Sequence, residues 1–264
     1  MTYRLAAQEA MLEGDTLEEK FAFAQSVGFD GIELSGKGGG VFSGRADELR
    51  AARAAGVQMP SAVVAQIPFP GDFDPERRAA SIEELKLLLA TLPAAGAAGI
   101  VCPNGFGVFS KRLPPFIPPR EDDASWASLI DAFRQVAPLG EKHATAIFLE
   151  PLNRFEDYLI NTLADASRVV DEIGSPAVRV IADTFHMSIE ESDIGAAIRA
   201  AGDRIAHVQL GDSNRLEPGA GHYDWDETLT ALEDIGYDGW MAMECRLSGP
   251  SSEVLPRVAE LLKR

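Results

Sequence analysis

Short apolar runs alternate with helix-like stretches from one end of the chain to the other, and that alternation restricts the fold more than any other feature. An apolar run too short for a helix core, followed by a stretch of helical period, is a βα unit. Eight such units can be read in succession. Strands are expected near residues 3–7, 30–35, 57–65, 99–103, 145–150, 178–183, 205–209 and 239–244, with helices near 16–27, 45–55, 75–95, 123–143, 162–173, 192–201, 226–235 and 252–262. Thr16 and Glu19 have the spacing of a capping box, and Pro75 suits a helix start. The segment RLPPFIPPRED is expected as a stiff surface loop.

No shift in composition marks a linker, and 264 residues fall in the usual range for one α/β barrel. The expected fold is therefore α/β, a single closed (β/α)8 TIM barrel domain over residues 1–264. An open doubly wound sheet would carry a glycine-rich phosphate turn early in the chain. The one glycine cluster, SGKGGG at residues 35–40, departs from the GxGxxG pattern and is read as a loop on the active face.

Hydrophobic residues make up 46% of the chain and charged residues 25%, the balance of an ordinary globular protein. No apolar run is long enough to span a bilayer, which argues against a membrane partner. The first residues lack the basic-then-apolar pattern of a signal peptide, so a cytoplasmic location is expected. Cys102 and Cys245 have neither disulfide-framework nor zinc-knuckle spacing. A formal net charge of −17 would repel a polyanion, so nucleic acid is not expected as a partner.

The later strands end on polar residues. The fifth closes on Glu150, the sixth on Asp183, the seventh on Gln209 and the eighth on Glu244. In a barrel these ends converge on one mouth, where barrel active sites lie. Crowded carboxylates repel unless a positive charge lies between them, and a divalent cation meets that need. The alternative is that each acid caps a following helix, but caps alone do not require inward-facing acids on consecutive strands. Four oxygen donors without a thiolate suit Mn²⁺, Mg²⁺ or Co²⁺ better than a structural zinc.

The segments EPLNRFE, DTFHM, GDSNR followed by EPGAGHYDW, and GYDGWMAMEC resemble those of the sugar isomerase/epimerase family with a xylose-isomerase-like barrel, in particular its ketose 3-epimerases. The likeness is dense from Phe148 to Arg246 and architectural before that. It implies that Glu150, Asp183 and Glu244 bind a divalent cation, usually Mn²⁺, and that Glu156, His186 and Arg215 contact a small sugar or keto-sugar substrate. It also implies association into a homodimer or homotetramer. At the fourth ligand position the ketose 3-epimerases carry His, whereas this chain has Gln209 in an HVQ segment that resembles hydroxypyruvate isomerases. Alternation turns His207 the same way as Gln209, and it is read as a buried, hydrogen-bonded residue rather than a ligand.

The expected chemistry is proton transfer through an enediolate. Glu150 and Glu244, three strands apart, would take and return the proton as the catalytic pair. The expected function is thus a divalent-metal-dependent epimerase or isomerase of sugars, most like a ketose 3-epimerase. The alternatives are a hydroxypyruvate isomerase-like aldose–ketose isomerase and a metal-dependent polyol dehydratase of the inosose type. A DNA-repair endonuclease with a zinc cluster needs more than the four histidines present. Phe155, Phe185 and Trp225 are read as core packing.

Overall fold

The computed structural model describes residues 3–109 and 117–263. Its elements run β1 (Arg4–Gln8), α1 (Leu17–Ser26), β2 (Gly31–Lys37), α2 (Val41–Gly44), α3 (Ala46–Ala54), β3 (Ser61–Ala65), α4 (Pro75–Ala95), β4 (Gly99–Pro103) and α5 (Asp122–His143). They continue through β5 (Ala146–Glu150), α6 (Leu163–Ile173), β6 (Val178–Asp183), α7 (Thr184–Glu190), α8 (Ile194–Ala201), β7 (Ile205–Leu210), α9 (Trp225–Asp234), β8 (Trp240–Met243) and α10 (Ser251–Leu262). The eight strands pair in parallel in chain order, and β8 returns to β1 to close the barrel.

Helix ends follow local chemistry. Thr16 and Glu19 form the expected capping box on α1, and Thr162 with Asp165 forms another on α6. Asp74 caps α4, whose first residue is Pro75, and Gly96 ends that helix with φ of 74°. Strand β3 starts at Ser61, later than the sequence suggests, because Pro60 has no N–H to give to a ladder. Two short helices, α2 and α7, were not expected from the sequence. The glycine cluster leads directly into α2, with Gly39 and Gly40 at positive φ and the Gly39 amide donating to Glu84.

Strand alternation sorts the side chains into two layers. Ile32, Leu34, Ile147, Leu149, Val180, Ala182, Val208, Leu210, Met241 and Met243 pack in the main core with the helices. Their neighbours in sequence turn into the barrel, where Val101, Ala146, Phe148 and Ile181 form a separate apolar cluster. Two residues beyond Phe148 and Ile181 come Glu150 and Asp183, so the same face that is apolar deeper along the strands becomes acidic at their ends. Among the described residues no helix is long and apolar enough to cross a membrane.

Candidate active site at the barrel mouth

Glu150 ends β5, Asp183 ends β6 opposite Gln209 on β7, and Glu244 follows directly after β8. Glu150 and Asp183 are buried, and Gln209 has no exposed surface. Burial pushes the Glu150 carboxyl well above the usual carboxylate range, and the charges of Glu244 and Asp183 add to the effect. Burial, then the charge of Asp183, pushes Glu244 up to about 8.

Asp183 does two things at once. Its Oδ1 accepts from the amides of Phe185 at 2.8 Å and His186 at 3.1 Å, so it caps α7, and this local bond explains why a helix begins where only a loop was expected. Its Oδ2 is buried and has no hydrogen-bond partner among the described residues, and the same is true of Gln209 Oε1. An unpaired buried acceptor costs about 1–3 kcal/mol. Two such oxygens beside two carboxyl groups of raised pKa fit a divalent cation, which would satisfy the oxygens and relieve the repulsion.

His186 is buried and lies between the acids and Arg215. Oxygens of Glu150 and Asp183 and a ring nitrogen of His186 all lie within 4.8 Å of one another, so this trio also has the spacing of a metal group. Nδ1 accepts from the Asn153 amide at 3.0 Å, and Nε2 lies 2.9 Å from Arg215 Nη1, which can only donate, so donors face both ring nitrogens. Burial pushes the His186 pKa down and keeps the ring neutral. Nε2 also lies 3.6 Å from Glu150 and 3.9 Å from Glu156.

Arg215 sits on the loop after β7 in the left-handed region, with φ of 60°, a conformation that costs energy for a residue with a Cβ. Two backbone bonds hold it there: its amide donates to Asp212 and its carbonyl accepts from the Arg246 amide. Its guanidinium lies over the Phe185 ring at 4.4 Å and 3.5 Å from Glu244. Gln8 donates to Glu244 from the other side at 3.1 Å. A cavity of about 200 Å³ opens at this place. Glu150, Glu156, His186, Arg215 and Glu244 line one part of it, and Val63, Phe69, Pro103, Phe106 and Leu152 make the rest apolar.

The structure thus brings Glu150, Glu156, His186, Arg215 and Glu244 to one cavity, with Asp183 and Gln209 buried beside them. His207 is buried and bonded to Glu33, as the alternation suggested. Trp225 is core and donates to Asp212, but Phe155 is 47% exposed and does not pack in the core. Phe155 lies on a loop, where no periodicity gives an orientation. Sequence reading passed over Gln8, Glu33 and Asn153. The signal for Glu33 was present: a charged residue between Ile32 and Leu34 in an apolar strand must face the barrel.

Asp157, next to this cavity in sequence, is also buried. Asn104 donates to both its oxygens at 3.0 Å, and the Tyr158 amide donates at 2.8 Å. Burial outweighs these bonds and pushes its carboxyl up to about 7. The folded chain then keeps a proton that the unfolded chain has lost between about pH 4 and about pH 7. Stability from this group falls as pH rises through that window and is level above it. Asp157→Asn is expected to show a smaller fall in Tm between about pH 5 and about pH 8 than the parent, measured by thermal melting. An unchanged fall would remove Asp157 as its source.

The family model described as a xylose isomerase-like TIM barrel matches residues 21–264. The chain belongs to this family. Within reach of the xylose isomerase-like barrels, the chain is 33% identical over 245 residues to the 3-dehydro-D-guloside 4-epimerase of Escherichia coli K12, covering 92% of each protein. The crystal structure of an E. coli 3-keto-D-glucoside 4-epimerase in its apo form superposes with a TM-score of 0.91 at 31% identity, covering 98% of both chains. A D-psicose 3-epimerase from Enterocloster bolteae is 41% identical over 140 residues, which is 53% of this chain and 46% of that protein. These relatives are epimerases, enzymes of the isomerase class, and the chain is an enzyme of that class.

Proposed function

We propose that this xylose isomerase-like barrel is a divalent-cation-dependent sugar epimerase that inverts a carbon directly beside a ketone. The observation that carries the reading is the pair Glu150 and Glu244, two carboxyls of raised pKa on strands β5 and β8 at one small cavity. Glu150, Asp183, Gln209 and Glu244 are the residues that would hold the cation, with Mn²⁺ the best match to an all-oxygen donor set and Mg²⁺ or Co²⁺ the alternatives. When bound, the cation supplies the charge that polarises a sugar ketone and acidifies the neighbouring C–H.

The residues of the chain do the rest. One of the two glutamates takes the proton from the carbon beside the ketone, leaving a planar enediolate. The other returns a proton to the opposite face, and the configuration is inverted. His186 lines the cavity beside Arg215, whose guanidinium stabilises negative charge that develops on the substrate. Glu156, at the cavity edge, accepts from a sugar hydroxyl.

The sequence resemblance favours a ketose, with the ketone at C2 and inversion at C3. The likeness to a 4-epimerase of a 3-dehydro sugar runs over nearly the whole chain, while the psicose 3-epimerase match takes in about half of it. The leading substrate is therefore a 3-keto glycoside inverted at C4, and ketose 3-epimerisation is the second reading. Both use the same proton transfer one carbon apart. The protein is proposed to work in the cytoplasm, and neither carbonyl migration nor dehydration is assigned to it.

Incubation with 3-keto-glucosides and a panel of ketoses in the presence of Mn²⁺, followed by NMR of the products, tests this function. Inversion at the carbon beside the ketone is the expected result. A carbonyl moved from C2 to C1, or a product that has lost water, would overturn it.

A further inference from the structure

Beside the acidic cluster, inside the barrel, a second polar network surrounds Glu33. This residue has no exposed surface and lies between Ile32 and Leu34, both of which pack toward the helices. Its Oε1 accepts from Gln209 Nε2 at 2.8 Å. Its Oε2 accepts from Ser61 Oγ at 2.8 Å and lies 2.8 Å from His207 Nε2. The His207 ring is stacked on Phe148, with centroids 5.3 Å apart and planes 18° from parallel. Both carboxylate oxygens are therefore engaged, and the group that engages Oε2 is itself held by packing.

A carboxylate only accepts hydrogen bonds, whereas a glutamine amide has a donating and an accepting end. With Glu33 beside it, the Gln209 amide has one favourable orientation. Turned over, its oxygen would press against a carboxylate oxygen in a buried site, acceptor against acceptor. Glu33 therefore draws Nε2 toward itself and sends Oε1 the other way. That oxygen is the one with no partner among the described residues, and Asp183, whose Oδ2 is likewise unpaired, is its register neighbour across β6 and β7.

We propose that Glu33 is the positioning residue of the cation site: it fixes the Gln209 amide so that oxygen, and not the amino group, is offered to the cation. The inference rests on the cation reading given above and goes beyond it, because Glu33 itself contributes no donor atom. A purely structural Glu33 would affect thermal stability alone. A positioning Glu33 affects cation affinity, and only while residue 209 has an amide to orient.

The test is Mn²⁺ affinity by isothermal titration calorimetry on the parent, Glu33→Gln, Gln209→Ala and the double variant. Glu33→Gln keeps the shape but has a single acceptor to serve Gln209, Ser61 and His207, and its own amino group permits Gln209 to turn over. Each single variant is expected to bind Mn²⁺ about tenfold to a hundredfold more weakly. The double variant is expected to match Gln209→Ala within about twofold, since the effect of Glu33 passes through the amide. Parent affinity in Glu33→Gln, or a double loss equal to the product of the single losses, would overturn the proposal. If Glu33→Gln does not fold, Glu33→Asp, which withdraws the carboxylate by one methylene, is read in the same way. A parent that binds no Mn²⁺ would overturn the cation reading itself, and with it this inference.

Discussion

Glu150→Gln and Glu244→Gln are each expected to lower epimerase turnover by about a hundredfold or more, the usual loss when a positioned acid or base is removed. Glutamine keeps the side-chain length and one oxygen, so the shape of the cavity is preserved. What it cannot do is accept or release the proton. Burial and the charge of Asp183 raise the pKa of both carboxyls in the cation-free chain, Glu244 to about 8, so each carboxylate is costly there until a positive charge joins it. Turnover measured alongside thermal melting separates loss of chemistry from loss of fold. A variant that melts like the parent and keeps a near-parent rate would remove that residue from the catalytic pair.

Stripping divalent cations with a chelator is expected to abolish turnover, and Mn²⁺ or Co²⁺ should restore it better than Ca²⁺. Ca²⁺ takes more ligands at longer distances than Glu150, Asp183, Gln209 and Glu244 supply. Readdition should also raise Tm, because an ion that binds only the folded chain stabilises it by mass action. The same four residues give the physical reason: two unpaired buried oxygens and two mutually repelling carboxyls are unfavourable until a positive charge joins them. Full activity in chelator-treated protein would contradict the cation reading.

The acids at the strand ends were legible in the sequence because period two is a strong signal when its other face is apolar. Phe148 and Glu150 share one face of β5, Leu149 takes the other, and the pattern repeats through Ile181 and Asp183. The sequence did not reveal that Asp183 divides its oxygens between capping α7 and facing the cluster. In the sequence capping and ligation stand as alternatives for this residue; in the fold Oδ1 makes the cap and leaves Oδ2 free of it. The sequence also could not give the hydrogen bonds of His186. The ring is held between the Asn153 amide and the Arg215 guanidinium, thirty-three and twenty-nine positions away, which no local pattern connects to it.

Glu33 lies outside the dense motifs of the late strands, as a charged residue in the short strand β2. The barrel places β2 across from β7, so Glu33 reaches Gln209 only through closure of the sheet. The proline-rich segment after β4 lies partly outside the described residues, and the apolar side of the cavity formed by Phe69 and Phe106 comes from loops whose direction no periodicity predicts.

Proton transfer at the carbon beside a ketone is tested by the reaction of a 3-keto-glucoside in deuterated water with Mn²⁺, stopped before the product can return. The product inverted at C4 is expected to carry one solvent deuterium on that carbon and none elsewhere, because the glutamate that returns the proton exchanges with solvent. An inverted product that retains its original hydrogen at C4 would contradict transfer through the two glutamates.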